Sequence, residues 1–336
     1  LNKSVGIVGA GPAGLAAAEQ LRKKGYQIEI YDRYDRGGGL LIYGIPNFKL
    51  EKNIVQRRLK YLEDSKINIH LNTEIGNDIL FKDLQKKHDA VLIATGVYKA
   101  KEMTLEGDAS QIIPALNFLT ASNRKGLGDA VANFDNGLLN AKGKNVVVIG
   151  GGDTAMDCVR TAIRQEAKSV KCLYRRDKEN MPGSRAEVNN AEEEGIEFIW
   201  QSLPKKIKKS DKDYKLDCVK MRLSEPDGNG RRVPQEISGS EFNLDADMVI
   251  AALGFSPENL PKLFNIEDLP VTKWGTIRVG FKTMMTNIDG VFAAGDIVRG
   301  ASLVVWGIRD GREVAESIHS YIAAKDQSLS ETSKAS

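Results

Sequence analysis

Short runs of apolar, mostly β-branched residues recur along the chain, and two of them lead into a glycine-rich turn and a helical pattern. The first run, residues 4–8 (SVGIV), precedes the turn GAGPAG and the segment LAAAEQLRKK, whose periodicity predicts a helix that Gly25 ends. Alternation over 27–32 (QIEIYD) predicts a second strand. The apolar run at 90–96 (AVLIATG) predicts a buried strand that ends in a tight turn.

The same order of elements returns in the middle of the chain. Residues 146–155 (VVVIGGGDTA) combine a strand with a second glycine turn, a helical pattern follows, and VKCLYRR begins the next strand at Val170. Residues 248–254 (MVIAALG) match the pattern of AVLIATG. The chain therefore holds two similar modules, either a divergent duplication or two copies of one fold. We predict an α/β fold class with two Rossmann-like nucleotide-binding domains.

The segments around these modules have other patterns. Residues 50–65 predict an amphipathic helix, whereas 204–247 alternate in short charged runs around the turn PDGNGRR and predict a β-meander appended to the second module. The basic run KKIKKSDKDYK is not interleaved with aromatic residues, which favours a solvated hairpin over a nucleic-acid site. Residues 286–296 predict a strand, followed by a helix to about Ala324 and a polar, serine-rich, disordered tail at 326–336.

Composition excludes several classes of protein. Lysine and arginine number 48 and aspartate and glutamate 45, so the net charge of +3 gives no reason to expect nucleic acid or a membrane surface as partner. No apolar run approaches the roughly 20 residues of a membrane helix, and the first residues lack the pattern of a signal peptide. The three cysteines form no CxxC pair and the three histidines are scattered. We therefore predict buried thiols, no metal site and a reducing cytoplasm.

The first glycine turn has the spacing of a dinucleotide-binding site. Gly9-x-Gly11-x-x-Gly14 lies between a strand and a helix, and Asp32 ends the next strand. The first glycine permits the tight turn, the second lets the backbone approach a pyrophosphate, and the third lets helix and strand pack closely. The Asp32 carboxylate suits the hydroxyl groups of a ribose.

The far end of the chain indicates which dinucleotide binds at this turn. In GVFAAGD, Asp296 follows a strand and can accept hydrogen bonds from a ribityl chain, and a helix beginning near Ser302 can direct its positive end at a flavin ring. We therefore predict one discontinuous FAD-binding domain, 1–105 with 262–325, and an NADPH-binding domain at 106–261 inserted into it.

The second glycine turn differs from the first in the residues expected beside the adenosine ribose of the bound nucleotide. Its third small residue is Ala155, and the strand that follows ends in Arg175 and Arg176, where NADH-binding units have a carboxylate. A carboxylate would repel the 2′-phosphate of NADPH, whereas guanidinium groups bind it through charge-assisted hydrogen bonds. We therefore predict NADPH at this turn, with Arg185 as a third phosphate contact.

Three long segments carry a resemblance to a known family: YDRYDRGGGLLIYGIPNFKLEK (31–52), RRDKENMPGSRAEVNNAEEEG (175–195) and GDIVRGASLVVWGIRDGREVA (295–315). They are similar to segments of the small, or beta, subunit of NADPH-dependent glutamate synthase, and the resemblance extends over nearly the whole chain. It implies that a hydride passes from NADPH to FAD and that electrons leave singly through iron–sulfur clusters. It also implies a partner, the glutamate synthase large subunit, in which 2-oxoglutarate and glutamine-derived ammonia become glutamate.

The resemblance further implies which residues bind the cofactors. The FAD set is Gly9, Gly11, Pro12, Ala13, Gly14, Asp32, Arg33, Gly38, Gly39, Leu40, Lys49, Thr95, Gly96, Gly295, Asp296, Leu303 and Val304. The NADPH set is Gly152, Asp153, Thr154, Ala155, Arg175, Arg176, Arg185, Ala252, Leu253 and Gly254. Lys49 is expected near the FAD phosphates, and residues 252–254 on the nicotinamide side. Hydride transfer between these cofactors needs no general acid or base, so no catalytic side chain is predicted.

The sequence departs from the family at the electron acceptor. Family members carry an N-terminal cysteine-rich domain that holds the clusters, whereas this sequence has no cysteine cluster and starts at Leu1 rather than Met. We expect the clusters on a missing domain or on a partner chain. The alternatives are a ferredoxin-type or dihydropyrimidine-dehydrogenase-type reductase, or a dinucleotide-binding module without turnover. Gly37 stands where the family more often has an apolar residue, and Asp32 stands where FAD sites more often have glutamate. Neither change alters the ligand chemistry.

Overall fold

The computed structural model divides the chain into two compact units, each built around a parallel sheet. It describes residues 2–209, 213–225, 228 and 232–335, with backbone only at 111 and 329–335. Unit 1 comprises Leu1–Ile42, Leu50–Lys99 and Phe255–Ser336, and unit 2 comprises Tyr43–Lys49 and Ala100–Gly254.

Helices and strands alternate through most of both units. The helices are α1 (Pro12–Lys23), α2 (Leu40–Tyr43), α3 (Lys52–Asp64), α4 (Phe81–Lys87), α5 (Ala115–Gly126), α6 (Ala132–Asp135), α7 (Asp153–Arg164), α8 (Arg185–Glu193), α9 (Leu260–Leu263), α10 (Asp296–Arg299) and α11 (Val304–Ala335). The strands are β1 (Ser4–Val8), β2 (Gln27–Tyr31), β3 (Ile67–His70), β4 (Ala90–Ile93), β5 (Lys99–Ala100), β6 (Glu106–Gly107), β7 (Ile113–Pro114), β8 (Asn145–Ile149), β9 (Ser169–Leu173), β10 (Glu197–Ile199), β11 (Ser202–Lys209), β12 (Tyr214–Leu223), β13 (Pro234–Glu236), β14 (Phe242–Ala246), β15 (Met248–Ala251), β16 (Phe255–Ser256) and β17 (Val291–Ala293).

The sheet of unit 1 has the strand order β17-β4-β1-β2-β3, and its pairs are parallel. Buried residues of α1 and α11 pack on one face of this sheet. The strand order reverses between β1 and β4, and in open α/β sheets ligands bind beyond the carboxyl ends of the strands at that point. The predicted strands at 4–8, 27–32 and 90–96 are confirmed as β1, β2 and β4, with slightly different ends.

The sheet of unit 2 repeats this arrangement in the order β10-β9-β8-β15-β7, again with parallel pairs. One difference is that its last strand, β7, precedes the others in the chain. Helices α5, α7 and α8 contribute to the core on one face, and the strands β11, β12 and β14 contribute to a second core on the other. The prediction of two Rossmann-like modules is therefore confirmed.

The predicted β-meander at 204–247 is confirmed by antiparallel pairing of β11 with β12, and of β12 with β13 and β14. Parts of that prediction, at 210–212, 226–227 and 229–231, lie outside the described residues.

The end of the chain differs from the prediction. Helix α11 continues to Ala335, so the disordered tail predicted at 326–336 is helical over 326–335, and Ser336 lies outside the described residues. An ion pair ties the extension to the residue that precedes β1, because Lys3 Nζ lies 2.7 Å from Asp326 Oδ1. That contact joins residues from opposite ends of the sequence, which no local pattern reveals. Within the described residues, no helix is long and apolar enough to cross a membrane.

The segment Tyr43–Lys49 belongs to unit 2, although the residues on both sides of it belong to unit 1. The buried side chain of Asn123 donates to the carbonyl oxygens of Tyr43 and Ile45 at 2.9 and 3.1 Å. The remaining boundaries between the units fall at 99/100 and 254/255, a few residues from the predicted domain boundaries at 105/106 and 261/262.

Candidate functional site

A pocket opens in unit 1 beyond the carboxyl ends of β1, β2, β4 and β17. It contains about 1050 Å³ of empty space, including its mouth. Thirteen residues of the predicted FAD set line it: Gly9, Gly11, Pro12, Ala13, Asp32, Arg33, Leu40, Thr95, Gly96, Gly295, Asp296, Leu303 and Val304. Residues separated by almost 300 positions in sequence thus share one cavity.

The three glycines of the first turn have distinct steric environments. Gly9 has a φ of 110°, and a Cβ atom there would lie 2.4 Å from the carbonyl oxygen of Ala94. A Cβ on Gly14 would lie 2.0 Å from the carbonyl oxygen of Gly9, so Gly14 serves the packing of α1 and does not line the pocket. A Cβ on Gly11 would meet no atom within 4 Å. Because the protein leaves that space open, a ligand can approach the backbone there.

Asp32 connects the end of β2 to this turn. Its Oδ2 accepts a hydrogen bond from the backbone N–H of Ala10 at 2.7 Å, and its Oδ1 accepts one from the N–H of Tyr34 at 2.9 Å. Burial raises the pKa of the carboxyl, and the two N–H donors partly offset this rise. Each oxygen keeps acceptor capacity for a hydroxyl group.

Arg33 also lines the pocket, but its guanidinium group has a protein partner. Nη1 and Nη2 donate to the two carboxylate oxygens of Glu258, both at 2.9 Å. The same group lies over the rings of Tyr34 and Tyr98, 5.2 and 5.7 Å from their centroids. Arg33 therefore shapes one wall of the pocket through this pair.

Asp296 and the start of α11 also line the pocket. The hydroxyl of Ser302 donates to Asp296 Oδ1 at 2.6 Å, and burial raises the pKa of this carboxyl. Gly295 has a φ of 80°, and a Cβ there would lie 2.8 Å from Cβ of Ala13 on α1. The N-terminal end of α11 lies at the cavity, because Leu303 and Val304 line it.

The hydroxyl of Thr95 is a buried polar group at the pocket. Its Oγ1 makes no hydrogen bond with any residue that the structure describes. A buried hydroxyl without a partner is costly, so it indicates a polar group of a ligand.

Three further residues of the predicted FAD set lie outside the pocket lining. Gly38 donates its N–H to the Ala10 carbonyl oxygen at 2.8 Å, and a Cβ on Gly39 would lie 3.0 Å from Cα of Gly11. Both therefore pack behind the glycine turn. Lys49 lies in unit 2, where its Nζ is 2.6 Å from Asp157 Oδ1 and also 2.6 Å from Glu187 Oε2. Lys49 is not among the lining residues of this pocket, and two carboxylates of unit 2 bind its charge.

Sequence reasoning missed several lining residues. They are Val8, Tyr31, Tyr34, Thr73, Glu74, Ile75, Ala94, Val97, Tyr98, Glu258, Leu260, Leu263, Phe264, Ala294, Ser302 and Gly307. The sequence could have indicated Tyr98, since it lies two positions after the turn glycine of ATGVY. No local sequence pattern indicates Glu258 or Phe264 as pocket residues, because they reach the pocket from a distant part of the chain.

The glycine turn of unit 2 repeats the geometry of the first. Gly150 has a φ of 145°, and a Cβ there would lie 2.3 Å from the carbonyl oxygen of Ala252. A Cβ on Gly152 would meet no atom within 4 Å. Ala155 is fully buried in the core beneath α7. Unit 2 thus has the same pair of a sterically required glycine and an open glycine as unit 1.

The predicted NADPH set gathers at the carboxyl ends of β8, β9 and β15. Residues 152–155 begin α7, residues 252–254 follow β15, and Arg185 is the first residue of α8. Arg175 is exposed and Arg176 half-buried, and both follow β9. Nε of Arg176 is buried and has no hydrogen-bond partner in the described part of the chain.

No group of three or more His, Cys, Asp or Glu side chains in the described residues could hold a metal ion. The three cysteines are free and buried.

Comparison with known proteins gives the family. The family model for pyridine nucleotide-disulphide oxidoreductases matches residues 3–325. The chain is 60% identical to the glutamate synthase [NADPH] small chain of Azospirillum brasilense, over 97% of this chain and 68% of that protein. It is 43% identical to the glutamate synthase [NADPH] small chain of Escherichia coli, over 95% of this chain and 69% of that protein. The chain belongs to the glutamate synthase small-chain family.

The fold has relatives among solved structures as well. Mycobacterium tuberculosis FprA in complex with NADPH matches with a TM-score of 0.80 at 17% identity, over 97% of this chain and 86% of that one. At this identity the match concerns the fold. Membership of the glutamate synthase small-chain family confirms an NADPH-dependent flavin oxidoreductase with FAD and NADPH as cofactors. The interpretation as a binding module without turnover is therefore set aside.

Proposed function

We propose that this chain is the electron-input module of a glutamate synthase: it binds FAD in unit 1 and NADPH in unit 2 and delivers electrons to an iron–sulfur acceptor. The observation that carries the assignment of the cofactors is the repeated glycine turn, open at Gly11 and at Gly152, with an arginine pair beside only the second. The identity to small chains of glutamate synthase supports the acceptor and the product.

The residues of the unit 1 pocket fit FAD. The open space at Gly11 and the N-terminal end of α1 suit the pyrophosphate, and Asp32 suits the adenosine ribose. The unpartnered hydroxyl of Thr95 and the carboxylate of Asp296 suit the polar groups of the ribityl chain. When bound, FAD supplies a ring that accepts a hydride from NADPH and releases electrons singly.

The residues of unit 2 fit NADPH. The first turn of α7 has no side-chain cap at Gly152, and the N–H groups ahead of Ala155, which itself donates to the Gly152 carbonyl oxygen, suit a pyrophosphate. Arg175 and Arg176 supply charge for the 2′-phosphate, and the free Nε of Arg176 requires an acceptor. These residues bind and orient the nucleotide, and no side chain is assigned to proton transfer.

Anaerobic titration of the FAD-loaded chain tests the reductase. We expect NADPH to bleach the visible absorption of the flavin and NADH to do so only at much higher concentration. The absence of bleaching by either nucleotide, with FAD bound, would contradict the proposed function.

The acceptor requires a separate test. The full-length protein would be expressed in an Escherichia coli strain that lacks its own small chain. Growth on low ammonium, together with NADPH oxidation that depends on glutamine and 2-oxoglutarate, would support glutamate synthesis. Flavin reduction without that oxidation would point to another iron–sulfur acceptor, of the ferredoxin or dihydropyrimidine dehydrogenase type. The buried free thiols support the reducing cytoplasm as the place of the reaction.

A further inference from the structure

The loop that carries the arginine pair is tied to the glycine turn of unit 2. This loop, residues 175–184, is called the arginine loop below. Near its end, the N–H of Gly183 donates to the carbonyl oxygen of Gly151 at 2.9 Å. The next N–H, of Ser184, donates to Oδ1 of Asp153 at 2.8 Å. Two successive residues of the loop are thus held by the turn and by the first residue of α7.

Other contacts fix the rest of the loop on the same support. The hydroxyl of Tyr174 donates to the carbonyl oxygen of Asn180 at 3.1 Å, and Met181 is buried in the core beneath α7. The ring of Tyr174 lies under the turn, because a Cβ on Gly151 would come within 2.4 Å of it. A Cβ on Gly183 would lie 3.1 Å from the Gly151 carbonyl oxygen, so the loop and the turn are in close contact.

Asp153 places a carboxylate beside the glycine turn of unit 2. It is the first residue of α7, where a carboxylate interacts well with the helix dipole but repels a pyrophosphate. The hydrogen bond from the Ser184 N–H explains why a carboxylate is useful at position 153, and this explanation does not involve the nucleotide. The hydrogen bond joins the end of the arginine loop to the helix whose N–H groups face the phosphates.

We propose that Asp153 is a positioning residue: through the Ser184 N–H it holds the arginine loop where Arg175 and Arg176 bind the 2′-phosphate, and so determines the preference for 2′-phosphorylated adenosine. The inference rests on the proposed NADPH site in unit 2. A second observation supports this role of the loop. Nε of Arg176 is buried and has no acceptor among the described residues, so the loop holds a guanidinium N–H where a ligand oxygen can accept its hydrogen bond.

The contact can be removed from either side. Asp153→Ala removes the acceptor and the charge, whereas Asp153→Asn removes the charge and keeps an Oδ1 acceptor. Ser184→Pro removes the donor and leaves the carboxylate, and the φ of −54° at Ser184 suits proline. The control is Asp245→Ala, which removes an exposed carboxylate of the same unit on β14.

The probes are 2′,5′-ADP and 5′-AMP, which differ only in the 2′-phosphate, bound to the FAD-loaded chain and followed by calorimetry. We expect Asp153→Ala and Ser184→Pro each to weaken 2′,5′-ADP binding by about tenfold, the size expected for one charge-assisted hydrogen bond. Binding of 5′-AMP should change little. The double variant should lose no more than either single one, because both changes remove the same contact. Asp153→Asn keeps an acceptor without the charge, so it should lose less affinity than Asp153→Ala. Asp245→Ala should bind like the parent chain.

Steady-state reduction of an artificial acceptor gives a second readout. Asp153→Ala should raise KM for NADPH more than kcat or KM for NADH, and the rise in KM for NADPH should be smaller in Asp153→Asn. Equal binding by the Ala and Asn variants, or a Ser184→Pro variant with unaltered 2′,5′-ADP affinity, would overturn the positioning role. Failure of the parent chain to prefer 2′,5′-ADP over 5′-AMP would instead overturn the proposed NADPH site.

Discussion

Gly311 of α11 lies directly on Ala13 of α1: a Cβ atom placed on Gly311 would come within 2.2 Å of the Ala13 carbonyl oxygen. One turn earlier on the same helix, a Cβ on Gly307 would lie 3.8 Å from Cβ of Pro12, which is ordinary contact. Because both helices begin at the pocket of unit 1, their close approach brings Ala13 and Val304 to one cavity.

The different spacing at Gly311 and Gly307 predicts that a glycine-to-alanine substitution has opposite effects on stability at the two positions. Gly311→Ala should destabilise the FAD-free chain by about 1–3 kcal/mol, because one helix must move away from the other. Gly307→Ala should be neutral or stabilising by up to about 1 kcal/mol, since alanine has the higher helix propensity. Thermal unfolding of the two variants checks the prediction, and equal shifts in both would contradict the packing described for α1 and α11.

Gly11→Ala should weaken FAD binding by about tenfold or more without loss of folding. The reason is that its Cβ meets no protein atom but occupies the space left for the pyrophosphate. Gly126→Ala is the matched control, since a Cβ there also meets nothing and the residue lies at the end of α5. Flavin fluorescence gives the affinity for FAD and circular dichroism the folding. Unchanged FAD affinity in Gly11→Ala would place the pyrophosphate elsewhere.

Arg175→Ala and Arg176→Ala should each raise KM for NADPH by about tenfold, with little effect on kcat or on KM for NADH. In the proposed site, each variant loses charge beside the 2′-phosphate and keeps the other contacts to the nucleotide. Lys178→Ala is the control, because this exposed lysine of the same loop is paired with Glu192 at 2.7 Å. Stopped-flow reduction of the bound flavin by both nucleotides measures the selectivity. A parallel loss with NADH would show that the arginines act on folding.

Acid should weaken unit 2 through Glu194. Its carboxylate binds Arg164 at 2.8 Å and Arg160 at 2.7 Å, and the bonds to Arg164 and then Arg160 lower its pKa from 4.5 to about 2. A carboxyl group whose pKa is lower in the folded than in the unfolded state stabilises the folded protein. This contribution is complete above the unfolded pKa and is lost as the pH falls through the folded pKa. The stability from Glu194 should therefore be present above pH 4.5 and disappear towards pH 2.

The variant Glu194→Gln tests this pH dependence. It should be less stable than the parent chain at pH 7 and should show a shallower loss of stability between pH 4.5 and pH 2. Urea unfolding at several pH values measures both, with Glu193→Gln, an exposed neighbour, as the control. An unchanged slope in Glu194→Gln would assign the acid sensitivity to other carboxylates.

Local patterns in the sequence determined the two modules, most of their strands, the glycine turns and the arginine pair that follows the second turn. These features depend on neighbouring residues: alternation of side chains, the φ angle that a turn requires, and the order of strand, turn and helix. For the same reason Gly25, with a φ of 95°, ends α1 as expected.

The tertiary structure decided the contacts between distant segments. Arg33 pairs with Glu258, Lys49 binds the carboxylates of Asp157 and Glu187, and Lys3 anchors the C-terminal helix beyond the predicted end. A long charged side chain reaches any carboxylate that the fold brings near, so its partner cannot be read from the residues beside it. Sequence spacing could therefore predict that a phosphate-binding turn exists, but only the packed chain shows which charges remain available to bind a ligand.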